Sequence, residues 1–317
     1  MDLKKKELAT RVSILYYEKN KNQNEIADEL EISRSYVSQL LTFAKDAGIV
    51  KISINIDEYD LRLIRREIEF KSGFPCLRQV YIMSSDSTDF TEKNIGKFAA
   101  PYVTELINKA NTIGVNLGAS VDRTIAMLES RNFTNADKKV VQIMGELYSG
   151  AFAGGAHPNE LVKNLSDKLG CQYYYLACPV IIEKPALRRE LMKEKSIETV
   201  ISLWDDIDLA VMGIGVADGR SRLFGLFDES MLEQIRAKDI ACDLTINFFN
   251  RDGQYVPLMD DYKMSIPYEK LKKVRRKVVI CYGEYKKEAI LSALKAGMID
   301  VLITDSITIG AVESIMA

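Results

Sequence analysis

Between residues 33 and 39 the chain reads SRSYVSQ, and five of these side chains carry groups that can read a polynucleotide. The guanidinium of Arg34 can fork onto a guanine, the amide of Gln39 can pair with an adenine, and Ser35, Tyr36 and Ser38 can reach phosphates or base edges. That chemistry works only if the five side chains lie on the outward face of a helix that enters a major groove by its first turns. The intervening Val37 and the following Leu40 and Leu41 must then face inward and hold the helix in place.

The flanking residues supply such a support. Leu8, Val12 and Leu15 recur at helical spacing and predict a first helix that ends near Lys19. Asn22 and Glu25 form an Asn-x-x-Glu capping box, which starts a second helix with Ile26, Ala27 and Leu30 inward. Glu31 and Ile32 turn the chain, Ser33 is the expected N-cap of the reading helix, and Gly48 is placed to end it. Many turns of this kind carry glycine where this chain has Glu31, and a left-handed backbone there costs roughly 1–2 kcal/mol. Ile49 to Ile56, IVKISINI, alternates apolar and polar residues as a short strand or wing does.

Bulk properties narrow the function classes. The 317 residues are 47% hydrophobic and 28% charged with a net charge of −2, a balance that suits a water-soluble chain of more than one domain. Residues 1–56 hold nine Lys/Arg against eight Asp/Glu, so any affinity for nucleic acid must come from the placement of charge rather than its excess. No apolar run approaches the roughly 18 residues of a membrane span, and MDLKKKELAT lacks a secretory signal's apolar stretch, so no membrane partner and a cytoplasmic location are expected. The five cysteines are scattered with no Cys-x-x-Cys pair, and they read as reduced thiols. With a single histidine, His157, neither a metal site nor a cofactor is expected.

After DEYDLRLIRREIEFKSGF, a helical segment with Leu61, Ile64 and Ile68 on one face, the pattern changes. That stripe fits either a second subunit or the chain's own body. Short apolar runs follow at Val80 to Met83, Thr112 to Leu117, Val140 to Met144, Tyr173 to Leu176, Leu209 to Ile214, Val278 to Tyr282 and Val301 to Thr304. Helical patterns separate most of them, at Phe90 to Asn108, Val121 to Leu128, Asn159 to Leu169, Met231 to Arg236 and Lys286 to Ala296. Near-continuous apolar strands alternating with helices imply a parallel, doubly wound α/β sheet. The basic run KLKKVRRK, Lys270 to Lys277, leads into one of these strands and reads as a solvated connection.

The segment LYYEKNKNQNEIADELEISRSYVSQLLTFAKDAGIVKISI resembles the DNA-binding part of the SorC/DeoR-type sugar-responsive transcriptional regulators. IGVNLGAS, VVQIMGE, YLACPVI, DLAVMGIG, DLTINFFNRDGQYV and KKEAILSALKAGMIDVLITDSIT extend the likeness, in order, over nearly the whole chain. The resemblance implies an α/β protein with an N-terminal winged helix-turn-helix over residues 1–56 and a linker helix over 57–75. Residues 76–317 then form a doubly wound, Rossmann-like effector and oligomerisation domain similar to the sugar-phosphate isomerases. It implies no enzyme activity, operator DNA as one partner, a phosphorylated sugar or sugar alcohol as another, and a homo-oligomer, commonly a tetramer.

Site residues carry over where the motifs match. Gly118, Ala119 and Ser120 follow a strand and open a helix, so their N–H groups and the Ser120 hydroxyl can hold a phosphate. Lys286, at another strand-to-helix junction, adds a cation; Asp243 accepts from sugar hydroxyls; Gln142 matches the family's Val-Val-Gln. Departures are equally specific. Relatives often show Trp-Gly-Thr-Thr or Trp-Gly-Arg-Thr where this chain has Leu117 to Ser120, and Met144 cannot form the Schiff base a lysine there could, so binding is expected to be non-covalent. Tyr282 and Glu146 each replace a glycine, and Glu146 would repel a nearby phosphate. A sugar-phosphate isomerase or deaminase would need a base and an acid, for which Asp205, Asp206, Asp218 and Glu284 are the candidates at strand ends. A sensor that signals only through protein contacts is the third class.

Overall fold

The computed structural model describes residues 3–51, 58–130, 133, 137–147, 157–217, 220 and 225–316. Two compact units divide the chain, Met1–Glu58 and Tyr59–Ala317. In the first, α1 (Leu3–Ser13) runs on through a π-turn at Ile14–Glu18, followed by α2 (Gln23–Glu29) and α3 (Arg34–Asp46). Ala9, Val12, Ile26, Ala27, Val37, Leu40, Leu41 and Ala44 form its core. The expected capping box is present: Asn22 Oδ1 accepts from the amides of Asn24 and Glu25 at 3.0 Å, while Glu25 accepts from the Asn22 amide at 2.7 Å. Ser33 caps α3 by accepting from the Tyr36 amide, and Gly48 ends the segment with φ +69°. Residues 49–51 are not in a strand, and the rest of the expected wing lies outside the described residues.

Helix α4 (Glu58–Ser72) starts at the division between the units, and among the described residues the second unit is built on seven parallel strands. They are β1 (Gln79–Met83), β2 (Thr112–Val115), β3 (Lys139–Gln142), β4 (Gln172–Tyr174), β5 (Leu209–Met212), β10 (Arg276–Ile280) and β11 (Val301–Asp305), in the spatial order β1-β11-β10-β5-β2-β3-β4. All seven runs expected from the sequence are found here. Successive strand residues feed opposite apolar layers, Leu209 and Val211 into one and Ala210 and Met212 into the other. Burial on both faces explains why these strands read as unbroken apolar runs. The layer behind Leu209 packs under α5 (Thr88–Asn108), α6 (Ala119–Met127) and α7 (Pro158–Leu169). The other lies under α9 (Lys195–Ser202), α12 (Lys287–Lys295) and α13 (Ser306–Glu313).

The chain leaves β2 for β3 in one direction and β5 for β10 in the other, so the switch point of the sheet lies between β2 and β5. Doubly wound folds open their ligand crevice beyond the carboxyl ends of the strands at such a point.

Two features were not foreseen. A small antiparallel sheet joins β6 (Gly215–Val216), β7 (Ile240–Leu244), β8 (Asn247–Asn250) and β9 (Tyr255–Val256), with α10 (Glu229–Ala237) between β6 and β7. Lys277, at the end of the basic run, is not solvated: its Nζ lies 2.7 Å from Asp300 Oδ2, with both side chains buried. At the free edge of β1 the carboxylate of Glu67, on α4, accepts the Ile82 amide at 2.6 Å.

Candidate functional site

In the N-terminal unit Arg34, Ser35, Ser38 and Gln39 are exposed on α3, while Val37, Leu40 and Leu41 are buried. Tyr36 departs from the expected set of readers in one respect: it is half-buried and its body packs on the helical core. The turn before α3 has the strained geometry its sequence implies, with Glu31 at φ +51°.

In the second unit a cavity of about 280 Å³ sits at the switch point, near the lower end of the size range of small-molecule sites. Three strand ends build it. After β2, Asn116 accepts the Gly213 amide through Oδ1 at 2.9 Å and so ties the tips of β2 and β5 together. The backbones approach so closely that a Cβ on Gly118 would lie 3.2 Å from the Gly213 Cα. Gly118 then caps α6, which brings Ala119 and the buried Ser120 to the wall as the first residues of a helix whose N-terminal amides favour an anion.

After β10 the chain turns through Gly283 at φ +106°, where a Cβ would collide with the Tyr285 ring. A single 3-10 turn, Glu284–Lys286, follows and directs Lys286 to the cavity. Lys286 Nζ donates to the Ile214 carbonyl at 3.1 Å, and desolvation lowers its pKa. The side chain is part-buried, and the oxygen it donates to is a neutral carbonyl. Arg220 also lines the cavity, its guanidinium 4.7 Å from the centre of the Tyr285 ring.

The opposite wall is the hairpin of β7 and β8. Asp243 is buried there, and Gly215 gives it room: a Cβ on Gly215 would lie 2.9 Å from Asp243 Oδ2. Asp243 Oδ1 accepts the Ile246 amide at 2.6 Å. Burial raises its pKa to about 7, against the opposing pull of that amide and of Lys263. Thr245, at φ +56°, lines the cavity, and the next residue, Ile246, has φ +60°.

Five of the six expected effector residues, Gly118, Ala119, Ser120, Asp243 and Lys286, thus meet at one cavity. Gln142 does not. It is fully buried, donating Nε2–H to the Met144 carbonyl at 2.6 Å and to Glu146 at 2.9 Å while accepting the Leu176 amide, so its amide serves the protein's own framework. Glu146, expected to repel a phosphate, faces a neighbouring hollow beside Cys178 and Pro179 rather than this cavity. Asn116, Thr245 and Arg220 were missed. Asn116 stands inside GVNLGAS and could have been found there, whereas nothing around Arg220 marks it. Of the candidate catalytic carboxylates, Asp205 is exposed and paired with Lys270, Asp206 is exposed, Glu284 is not on the cavity wall, and Asp218 lies outside the described residues.

A helix-turn-helix unit joined to a doubly wound unit with a ligand-sized cavity at its switch point defines a class of protein, the ligand-sensing regulator. Residues 62–312 match the sugar-binding domain family, Sugar-bind, and the chain belongs to it and to the SorC/DeoR-type regulators. The sorbitol operon regulator of Klebsiella pneumoniae is 28% identical over 304 residues, covering 94% of this chain and 95% of the relative. The deoxyribonucleoside regulator of Bacillus subtilis is 24% identical over 313 residues, 97% of each chain. Among solved structures, the full-length Klebsiella pneumoniae SorC superposes with a TM-score of 0.73 over 98% of this chain and 99% of that one. A transcriptional regulator from Streptococcus pneumoniae, 21% identical, shares the fold with a TM-score of 0.75 over 82% of this chain and 99% of its own. Among the described residues no helix is long and apolar enough to cross a membrane.

Proposed function

We propose that this protein is a cytoplasmic transcriptional regulator of a carbohydrate-utilisation operon, whose affinity for operator DNA changes when a phosphorylated sugar or polyol binds. The observation that carries the reading is the polarity of the cavity. Lys286 and the N-terminus of α6 make one wall suited to a phosphate, and Asp243 and Thr245 on the β7–β8 hairpin make another suited to hydroxyls. Met144 on the wall supports non-covalent binding, since a thioether forms no Schiff base. The names of the sorbitol and deoxyribonucleoside regulators support a polyol or sugar-bearing small molecule as the ligand.

Residues 1–56 would then be the reading head, with Arg34, Ser35, Tyr36, Ser38 and Gln39 on the DNA, 57–75 the linker, and 76–317 the sensor and oligomerisation domain. In a homo-oligomer, a tetramer in this reading, the ligand acts by favouring one of two quaternary arrangements and so one spacing of paired heads.

Thermal-shift screening of sugar and polyol phosphates, with hits carried into a band shift on the DNA upstream of the protein's own operon, tests the reading. Lys286→Ala is expected to lose the ligand response and keep ligand-free DNA binding. A sequence-specific shift absent at every moderate salt concentration would remove the regulator reading, and an unchanged response in Lys286→Ala would remove the site.

A further inference from the structure

The turn between β7 and β8 has a front and a back. In front, Asp243 and Thr245 line the cavity. Behind it sits Lys263, only 2% exposed. Its ammonium donates to Asn247 Oδ1 at 2.7 Å, to the Ile246 carbonyl at 3.2 Å and to the Tyr255 hydroxyl at 3.1 Å, and pairs with Asp260 at 2.7 Å.

Two arms lead from this ammonium to the ligand side. Along the first, Asn247 passes an Nδ2–H to the Thr245 hydroxyl at 3.0 Å. Along the second, Ile246 is held at both main-chain groups, its carbonyl by Lys263 and its N–H by Asp243. Both arms end at residues of the cavity wall. Burying a lysine is costly, and an apolar residue could pack behind an ordinary turn. The turn is also not ordinary, since two β-branched residues in succession take the left-handed conformation.

We infer that Lys263 is a positioning residue of the ligand cavity: from behind the turn it holds the Thr245 hydroxyl and the Asp243 carboxyl in place for the ligand and supplies the positive charge nearest Asp243. The inference rests on the reading of the cavity as the effector site. The titratable groups around Asp243 are Lys263, behind the turn, and those that line the same cavity, Lys286, Arg220, Tyr282 and Tyr285, while Cys242, next to it on β7, points to the opposite face of the strand. The β8 residue in the network, Asn247, is uncharged, and Glu288 of α12 is engaged by Arg251. Around Lys263 stand Asp260, Tyr255 and Arg188, which donates to the Lys263 carbonyl at 2.7 Å. Burial disfavours the charged Asp243 and Lys263 opposes it. Near neutral pH the carboxyl therefore shares its time between donating and accepting, which suits a ligand hydroxyl that must do both.

The test uses full-length protein and two readouts. Carbon-13 titration of the Asp243 carboxyl, its signal identified by loss in Asp243→Asn, gives a midpoint without any ligand. Lys263→Met is expected to raise that midpoint by about one pH unit, and Lys263→Arg to restore it. Calorimetry with sorbitol 6-phosphate is expected to show binding weakened about tenfold in Lys263→Met and in Asn247→Ala, which cuts the Thr245 arm together with the Asn247 bond to the Ile266 carbonyl but leaves the Lys263 hold on Ile246, and so the Asp243 midpoint, in place. A folded Lys263→Met with the wild-type midpoint overturns the inference. Should that variant not fold, Asn247→Ala decides, and wild-type affinity there overturns it. A wild-type protein that takes up no phosphorylated sugar defeats the cavity reading instead, while the ligand-free midpoint still measures the hold of Lys263 on Asp243.

Discussion

At Asp243 burial works against charge, and the consequence can be followed through pH. An unfolded aspartate titrates near 3.8 and this one at about 7. The folded state therefore binds the proton more tightly, so the stability this group contributes is complete below 3.8 and is lost as pH rises through about 7. Asp243→Asn keeps the site neutral throughout. Thermal unfolding across that window is expected to show a smaller loss of stability with rising pH in the variant than in the wild type. Arg34 offers a second test at this scale. If it forks onto a guanine, Arg34→Ala costs about 1–3 kcal/mol at one base pair and relaxes preference there, as competition band shifts with altered operators would show. An equal loss on every sequence would make Arg34 a phosphate contact instead. The placement of both residues could be read from the sequence, Arg34 on an exposed helix face from its position after an N-cap and Asp243 at the cavity from the motif around it. The pKa of Asp243 could not, because it depends on Gly215 and Lys263, which reach it only in the fold.

Elements differ in how openly their sequences announce them. The seven parallel strands could be read because strands buried on both faces are apolar throughout, and the capping box at Asn22 and Glu25 because its two hydrogen bonds demand those residue types. The small sheet could not. Its strands have two to five residues, and the turn from β7 to β8 uses Thr245 and Ile246 where a hairpin signal would be Asn-Gly. Local propensity opposes that turn, and side-chain hydrogen bonds override it, two within the turn at Asp243 and Asn247 and the tertiary ones from Lys263. Glu31 presents the simpler case of the same strain. It is exposed, so glycine there loses no buried contact, and Glu31→Gly is expected to stabilise the N-terminal unit by about 0.5–1 kcal/mol in denaturant unfolding. A destabilised variant would mean that the Glu31 side chain contributes more than the strain removes.

For the whole molecule the first question is how copies meet. Helix α4 is held to its own body on one side: Arg66 forms a two-pronged pair with Glu313 and donates to the Ser306 carbonyl, and Phe70 is buried. Ile64 and Ile68, from the stripe seen in the sequence, remain 44% and 64% exposed. The proposed homo-oligomer offers that stripe a partner, so Ile68→Glu is expected to lower the mass measured by light scattering at micromolar concentration while the fold by circular dichroism is unchanged. A wild-type protein that is monomeric under these conditions would remove both the tetramer and this role for the stripe. The ends of the seven-stranded sheet are poor places for such meetings. At one end β4 is three residues long, and at the other the carboxylate of Glu67 occupies the outward Ile82 amide of β1. A sheet with one margin cut short and the other bonded in part gives a poor template for another chain to add a strand, which guards a concentrated protein against runaway stacking into fibres.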